Sequence, residues 1–305
     1  MNLITIVTPT YNRARTLPVL YESLCRQSSK NFKWLIVDDG STDDTENLVR
    51  TFDTANFEIK YIRKDNGGKH TALNLAFDIL DTELTFIVDS DDWLTVDAIR
   101  TIDEDWSGCR NMNICGISYL RGYNEAEVIG DVFPQDNVID NFITLRFNKR
   151  IGGDKAEVWR TDLLKQFRYP VFDGEKFFGE SYIWVKISER NDMLFRNKIV
   201  YITAYLEGGL SKSGRAMRIL CPYGGMTNAK LMMSRRFSLT QRVKGALLYI
   251  AYAWFAKQSI KQIIRPPHFI LKLLTFPIGT MIYLKWKRLL PRQGPNSDQK
   301  PKFFR

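Results

Sequence analysis

Leu84-Thr85-Phe86-Ile87-Val88-Asp89-Ser90-Asp91-Asp92 carries five apolar or β-branched residues straight into three carboxylates. Such a run reads as a buried strand, and the acids then stand at its carboxyl end. Three carboxylates in four residues repel one another, and burying them together is costly unless a cation is at hand. A hard divalent ion bridging carboxylates and substrate phosphates is one resolution. A solvated acidic turn capping a helix from Thr95 is the other, and these residues alone do not choose between them.

The same arrangement recurs upstream. Leu3–Thr8 is a short β-branched run ending at Pro9-Thr10-Tyr11-Asn12-Arg13, and Thr16–Gln27 follows with helical spacing. Phe32–Val37 is a second strand, opening into Asp38-Asp39-Gly40-Ser41-Thr42 and a helix over Asp43–Phe52. Gly40 makes a turn, while Ser41/Thr42 and the acids behind them suit a helix start. Capping leaves Asp38 and Asp39 unexplained, since they precede the helix; a carboxylate there can accept from a base or ribose. Phe57–Ile62 is a third strand, followed by Asp65-Asn66-Gly67-Gly68-Lys69-His70 and a helix over Thr71–Leu80. Two glycines beside a cation suit close approach of a diphosphate to backbone amides, although the P-loop spacing is missing. Strand–helix alternation with short loops means βαβ units, a parallel sheet, and ligands at the carboxyl ends of the strands.

Beyond residue 95 the pattern is looser. Ile114–Tyr123, Lys155–Trp159 and Leu194–Thr203 read as strands, with helices over Asp162–Phe167 and Ser181–Asn191. These predict a mixed extension of the sheet that completes a substrate site.

Four motifs in order, each at a strand end, resemble the family 2 glycosyltransferases of the GT-A fold: Thr8 to Arg13, Asp-Asp-Gly-Ser, Asn-Gly-Gly-Lys and Asp-Ser-Asp-Asp. The likeness is close over residues 3–95 and looser to about 211. It implies an α/β fold, a Rossmann-like mixed sheet flanked by helices, and an inverting transfer from a UDP-sugar. By the same resemblance Pro9, Thr10, Tyr11 and Asp39 hold the nucleoside, and Asn66 and Lys69 lie beside the nucleotide. Asp89 and Asp91 then hold Mn²⁺ or Mg²⁺ against the diphosphate, with Asp92 supporting their loop. Family members place a catalytic acid at a helix start in the second half of the domain, often as Glu-Asp. Here Phe178-Gly179-Glu180-Ser181 makes Glu180 the candidate base, with Ser where many relatives have Asp; Glu180 as a plain helix cap is the competing reading. Tyr205–Ser211 carries the Gly-Leu-Ser turn seen in relatives, as a lid over the donor or as a plain loop. The Gln-x-x-Arg-Trp motif of processive synthases is missing, which favours addition of a single sugar. A sugar nucleotidyltransferase shares the architecture, but its glycine-rich loop with Arg and Lys after the first strand is missing. A non-catalytic membrane scaffold keeping the fold is the remaining alternative, raised by Ser181.

Charge divides the chain. The 305 residues carry a net +10, yet residues 1–211 hold 25 Lys/Arg against 33 acids while residues 212–305 hold 19 against Asp298 alone. An acidic body joined to a basic tail points to a polyanionic partner. We therefore expect a catalytic domain over 1–211, a basic helical membrane-association region over 212–290, and a disordered tail over 291–305. Leu231–Ile264 reads as helix, broken at Pro266-Pro267 and followed by an apolar run over Phe269–Leu284. The uninterrupted apolar run 246–256 and the uncharged run 273–284, which contains Pro277 and Gly279, fall short of the roughly 20 apolar residues a spanning helix needs. Aromatics at their edges and cations between them suit helices lying in the headgroup region. Packing on the catalytic domain, or a homo-oligomer contact through these helices, is the other use for them. Nucleic acid is disfavoured, because the cations interleave with long aliphatic runs and no recognition motif is present. Cys25, Cys109, Cys115 and Cys221 lack metal-site spacing and fit a reducing compartment. With no secretory signal read at the N-terminus, the expected location is the cytoplasmic face of the cell membrane, with a saccharide or lipid-linked acceptor.

Overall fold

The computed structural model describes residues 2–203 and 216–288. Its centre is a nine-stranded mixed sheet in the order β3-β2-β1-β4-β8-β6-β9-β5, with β7 pairing on β9. The first four strands are β1 (Ile4–Thr10), β2 (Phe32–Asp38), β3 (Ile59–Arg63) and β4 (Leu84–Ile87). All four run parallel, with Ile4 beside both Phe32 and Leu84. Helices α1 (Leu17–Cys25), α2 (Thr45–Arg50) and α3 (Lys69–Ile79) connect them. Because β1, β2 and β4 are covered on both faces, nearly every side chain in them is buried, which is why they read as continuous apolar runs.

The second half supplies the mixed extension. β5 (Asp92–Leu94), β6 (Ile114–Gly122), β7 (Val138–Asp140), β8 (Lys155–Arg160) and β9 (Asp192–Thr203) join the sheet around α4 (Ala98–Cys109) and the short α5 (Thr161–Leu164). β8 runs antiparallel to β4 and β6, whereas β6 and β9 are parallel. α6 (Ser181–Ser188) then leads into β9. The expected mixed α/β sheet with flanking helices is observed. β5 and β7 were not anticipated: each has three residues, too few to show a period of two, and β5 lies inside the acidic motif itself.

The chain forms two compact units, Met1–Tyr169 with Ile183–Tyr205, and Pro170–Tyr182 with Leu206–Arg305. Residues 170–182, which chain order assigns to the catalytic body, thus belong with the C-terminal helices. In the first unit Leu17, Leu20 and Leu24 of α1 and Ile99, Ile102 and Trp106 of α4 join the strands in one core.

The second unit has its own small core around Ile250, Ala253 and Ile263. It contains α7 (Pro222–Met232), α8 (Leu239–Phe255), α9 (Ile260–Ile264) and α10 (Phe269–Lys287). The single helix expected over Leu231–Ile264 is therefore three. The first break lies between Met232 and Ser238, the residue before α8, and the second between Phe255 and Ser259, where Lys257 has φ +55°. Ser259 then starts α9 with a capping box, accepting from the Gln262 amide while Gln262 accepts from Ser259 N. The expected lid at 205–211 and tail at 291–305 lie outside the described residues.

Candidate active site

The carboxyl ends of β1, β2 and β4 meet at one edge of the first unit, and hydrogen bonds tie their loops together. Asn12, in the left-handed region at φ +53°, accepts from the amides of Thr42 (2.8 Å) and Asp43 (3.3 Å) and donates its own amide to Ser41 Oγ (2.8 Å). Arg13 N donates to Thr45 Oγ1 at 3.0 Å. The loop after β1 is thereby fixed to the loop after β2. Asp38, fully buried, accepts from Ser41 N (2.8 Å) and from the Tyr61 hydroxyl (2.5 Å), so it organises this corner. Burial, with Asp38 beside it, pushes the Tyr61 hydroxyl up, which keeps it protonated as the donor.

Asp39 organises the neighbouring loop. Its carboxylate accepts from Gly67 N (2.9 Å), Gly68 N (2.6 Å) and Lys64 Nζ (2.7 Å), while Asn66 Nδ2 donates to its carbonyl at 2.9 Å. Gly68 has φ +95°, and a Cβ on Gly40 (φ +80°) would lie 2.9 Å from Asn66 N, so both glycines are needed for this close packing. Thr10 Oγ1 is buried with no hydrogen-bond partner among the described residues. A hydroxyl left this way costs free energy that a ligand oxygen or nitrogen would recover.

Each of the three acids after β4 has a basic neighbour. Lys69, at the start of α3, pairs with Asp89. Arg13 Nη2 stands 3.3 Å from Asp91 Oδ2. Arg121 Nη1 stands 3.7 Å from both Asp89 Oδ2 and Asp92 Oδ2. Tyr201 closes the group: its hydroxyl accepts from Asp89 N (2.9 Å) and donates to Asp92 Oδ2 (2.8 Å), with Thr203 Oγ1 3.4 Å from the same oxygen. Burial works to raise Asp89, but Lys69 and Arg121 outweigh it and hold the carboxyl below its ordinary value. Asp92 goes the other way, pushed up to about 7 by burial and by Asp89.

Three acids facing three bases are close to neutral, and a divalent ion added to them would present about two positive charges to a diphosphate. Among the described residues no three His, Cys, Asp or Glu side chains form a ready-made cation cage. Mg²⁺ and Mn²⁺ sites at phosphates often use only one or two carboxylates, completed by substrate oxygens and water. Asp89 and Asp91, whose side chains are 29% and 23% exposed, fit that donor set.

Sequence reasoning brought Asp39, Asn66, Lys69, Asp89 and Asp91 to the same edge as Thr10. Arg121, Tyr201 and Thr203 were missed. Arg121 did leave a signal, as the one charged residue in the strand Ile114–Gly122. Glu180 lies in the second unit, directly before α6. There Glu175, five residues before it, is buried and accepts from Tyr223 N (2.7 Å) and Gly224 N (2.8 Å). Both of its oxygens are used as the cap of α7.

Residues 5–146 match Glycosyl transferase family 2. The chain is 26% identical over 225 residues to glycosyltransferase GlyA of Streptococcus pneumoniae, covering 68% of this chain and 31% of GlyA. It is 26% identical over 208 residues to the GalNAc(5)-diNAcBac-PP-undecaprenol beta-1,3-glucosyltransferase of Campylobacter jejuni, covering 66% of this chain and 62% of that protein. The chain thus spans less than two-thirds of either relative. Among solved structures, S. aureus TarS 1–349 in complex with UDP-GlcNAc superposes with a TM-score of 0.61 at 18% identity, covering 97% of this chain and 95% of that one. The mannosyltransferase PcManGT from Pyrobaculum calidifontis, in complex with GDP-Man and Mn²⁺, gives 0.57 at 16% identity over 94% and 82% of the two chains. At those identities the structures establish the fold. Residues 5–146 thus carry the likeness to Glycosyl transferase family 2, the relatives are glycosyltransferases, and the sheet has the GT-A type of fold.

Proposed function

We propose that this chain is a metal-dependent, inverting glycosyltransferase that moves a single sugar from a UDP-sugar to a saccharide or lipid-linked acceptor. The observation that carries the reading is the edge where Asp89 and Asp91, with Lys69, Arg13 and Arg121 around them, stand beside the glycine loop held by Asp39. The TarS complex with UDP-GlcNAc supports a uridine nucleotide, and the Campylobacter relative supports a polyprenyl-linked acceptor.

Asp89 and Asp91 would hold Mn²⁺ or Mg²⁺, which when bound supplies electrostatic stabilisation to the departing diphosphate. Thr10 Oγ1 has an unmet hydrogen bond to offer the nucleoside; Pro9, Tyr11 and Asp39 form the rest of that subsite, with Asn66 alongside. Lys69 and Arg121 add positive charge where the leaving group gains negative charge. Glu180 takes the proton from the acceptor hydroxyl as it attacks the anomeric carbon, while the bond to the UDP oxygen breaks on the opposite face. One displacement inverts the configuration. Glu175 is a poor base by comparison, because two backbone amides already occupy its oxygens. The reaction belongs at the cytoplasmic face of the cell membrane, where a lipid-linked acceptor for a surface polysaccharide would be found.

The test is UDP release from a panel of UDP-sugars by purified protein with Mn²⁺ and extracted lipid acceptors. Asp91→Ala should abolish metal-dependent UDP binding. If no UDP-sugar yields UDP with any acceptor, the reading fails and the scaffold alternative gains.

A further inference from the structure

α10 has two dissimilar faces. One packs on α8: Lys272, Thr275 and Gly279 are buried there, and a Cβ on Gly279 would lie 2.7 Å from Ile250 Cβ. Trp254 Nε1 donates to Thr280 Oγ1 at 3.0 Å, and Tyr283 and Trp286 lie against the aromatic rings of α8. The other face carries Ile270 (70% exposed), Leu274 (74%), Ile278 (56%) and Met281 (67%), with Phe269, Leu273 and Leu284 beside them. At 100° per residue these seven side chains fall within half the helix circumference, an apolar stripe about 24 Å long. Singly exposed apolar residues are ordinary, but a contiguous row marks a surface with a partner.

Charge identifies the partner. Residues 216–288 contain 13 Lys/Arg and no Asp or Glu. Lys261 and Arg265 precede the stripe and Lys285, Lys287 and Arg288 follow it, so cations stand at both ends of the apolar row. An apolar row flanked by cations matches the acyl boundary of a bilayer with anionic headgroups.

By length and composition α10 is also apolar enough to cross a membrane, contrary to what its 12-residue uncharged core suggested. Its packing argues for lying flat. To cross alone it would part from α8, exposing Lys272, whose ammonium donates to Arg265 O and sits 5.0 Å from the Tyr249 ring. To cross together with α8 would need a second span, and the uninterrupted apolar run of α8, residues 246–256, extends only about 16 Å against roughly 30 Å of hydrocarbon.

We infer that the outer stripe of α10 is an in-plane docking surface for an anionic lipid bilayer, with Ile270, Leu274, Ile278 and Met281 inserted and the flanking cations on the headgroups. This deepens the proposed function by naming the surface that brings the enzyme to lipid-linked acceptors.

The experiment is flotation of the full chain with vesicles of phosphatidylcholine alone or mixed with an equal part of phosphatidylglycerol. The wild type should float with the mixed vesicles and come off in alkaline carbonate. Leu274→Gln/Met281→Gln should lower the partition coefficient at least tenfold, and Ile270→Gln/Ile278→Gln should do the same. Both should keep the wild-type melting temperature, whereas Val19→Gln, at an exposed apolar site in the first unit, should float as wild type. Equal flotation of both double variants would overturn the inference, as would resistance of the wild type to carbonate, which means a span. A lipid-indifferent wild type that is dimeric in light scattering, with variants that are monomeric, would assign the stripe to a second copy instead. UDP release by the wild type on a soluble acceptor is scored separately: its absence defeats the proposed function, while its presence in a wild type that does not float defeats only the docking surface.

Discussion

The guanidinium of Arg121 lies 3.8 Å from the ring centroid of Tyr201, and the hydroxyl of that tyrosine donates to Asp92, one of the two carboxylates Arg121 neutralises. Stack, hydrogen bond and ion pairs share one position, so β6 and β9 jointly set the charge of the acidic turn after β4. Arg121→Met would leave Asp89 and Asp92 facing each other without their shared cation. Removing one partner of a buried ion pair costs about 3–5 kcal/mol, so a large drop in melting temperature is expected in metal-free buffer. Mn²⁺ with UDP should raise the melting temperature of the variant more than that of the wild type, because the ion restores the missing charge. Equal shifts would mean that the ion does not bind against these acids. Arg121→Lys should fall between the two, keeping the charge but losing the planar stack.

Asp39 gives the second prediction. Its carboxylate holds the amides of Gly67 and Gly68 as well as Lys64, and an asparagine offers only one accepting oxygen in its place. Hydrogen bonds to a charged group contribute about 1.5–3 kcal/mol each in net terms. Asp39→Asn should therefore loosen the 66–68 loop and weaken UDP binding by roughly tenfold or more, the equivalent of about 1.4 kcal/mol. Isothermal titration with UDP measures it, and an unchanged affinity would separate the loop from the nucleotide.

The legibility of these features in the sequence follows burial. β1, β2 and β4 are covered on both faces and their apolar runs stop abruptly at Pro9, Asp38 and Asp89, so both their existence and their functional ends could be read. Arg121 and Tyr201 come from β6 and β9, 80 residues apart in sequence, and only the sheet order brings them together; nothing local to either residue announces the pair. A lone arginine in an apolar strand does imply a buried counter-ion, and that signal went unused. The breaks among α7, α8 and α9 were legible in part: Ser259-Ile260-Lys261-Gln262 has capping-box spacing, but the apolar run before it hid the boundary.

Glu175 and Glu180 of the 170–182 segment should behave differently. Glu175 caps α7 through Tyr223 N and Gly224 N, so Glu175→Gln should cost about 1 kcal/mol of stability and leave turnover nearly intact at permissive temperature. Glu180→Gln should keep UDP-sugar affinity while lowering kcat by about 10²–10⁴-fold, the range for loss of a general base. Single-turnover kinetics beside a binding isotherm separates the two effects. Retained turnover in the Glu180 variant would remove it from the chemistry.

His70 yields a pH dependence with a definite sign. It is buried at the second position of α3, and burial pushes its imidazole down to about 4, with Lys64 adding to the effect and Asp39 opposing it. Between pH 6.5 and 4 the unfolded chain binds a proton at this residue that the folded chain does not, so stability falls as the pH is lowered through that window. Below about pH 4 both states are protonated and the loss is complete, amounting to about 3 kcal/mol. Asp92 acts in the opposite sense: with its carboxyl raised to about 7, the folded state holds the extra proton, and that contribution is lost as the pH rises. The wild-type profile mixes the two, so the informative quantity is the difference between wild type and His70→Gln in chelator. That difference should be flat above pH 7 and should narrow or reverse in favour of the variant on descent to pH 4. Parallel melting curves for the two proteins across that range would show that His70 titrates alike in the folded and unfolded chain, and that burial does not hold it neutral.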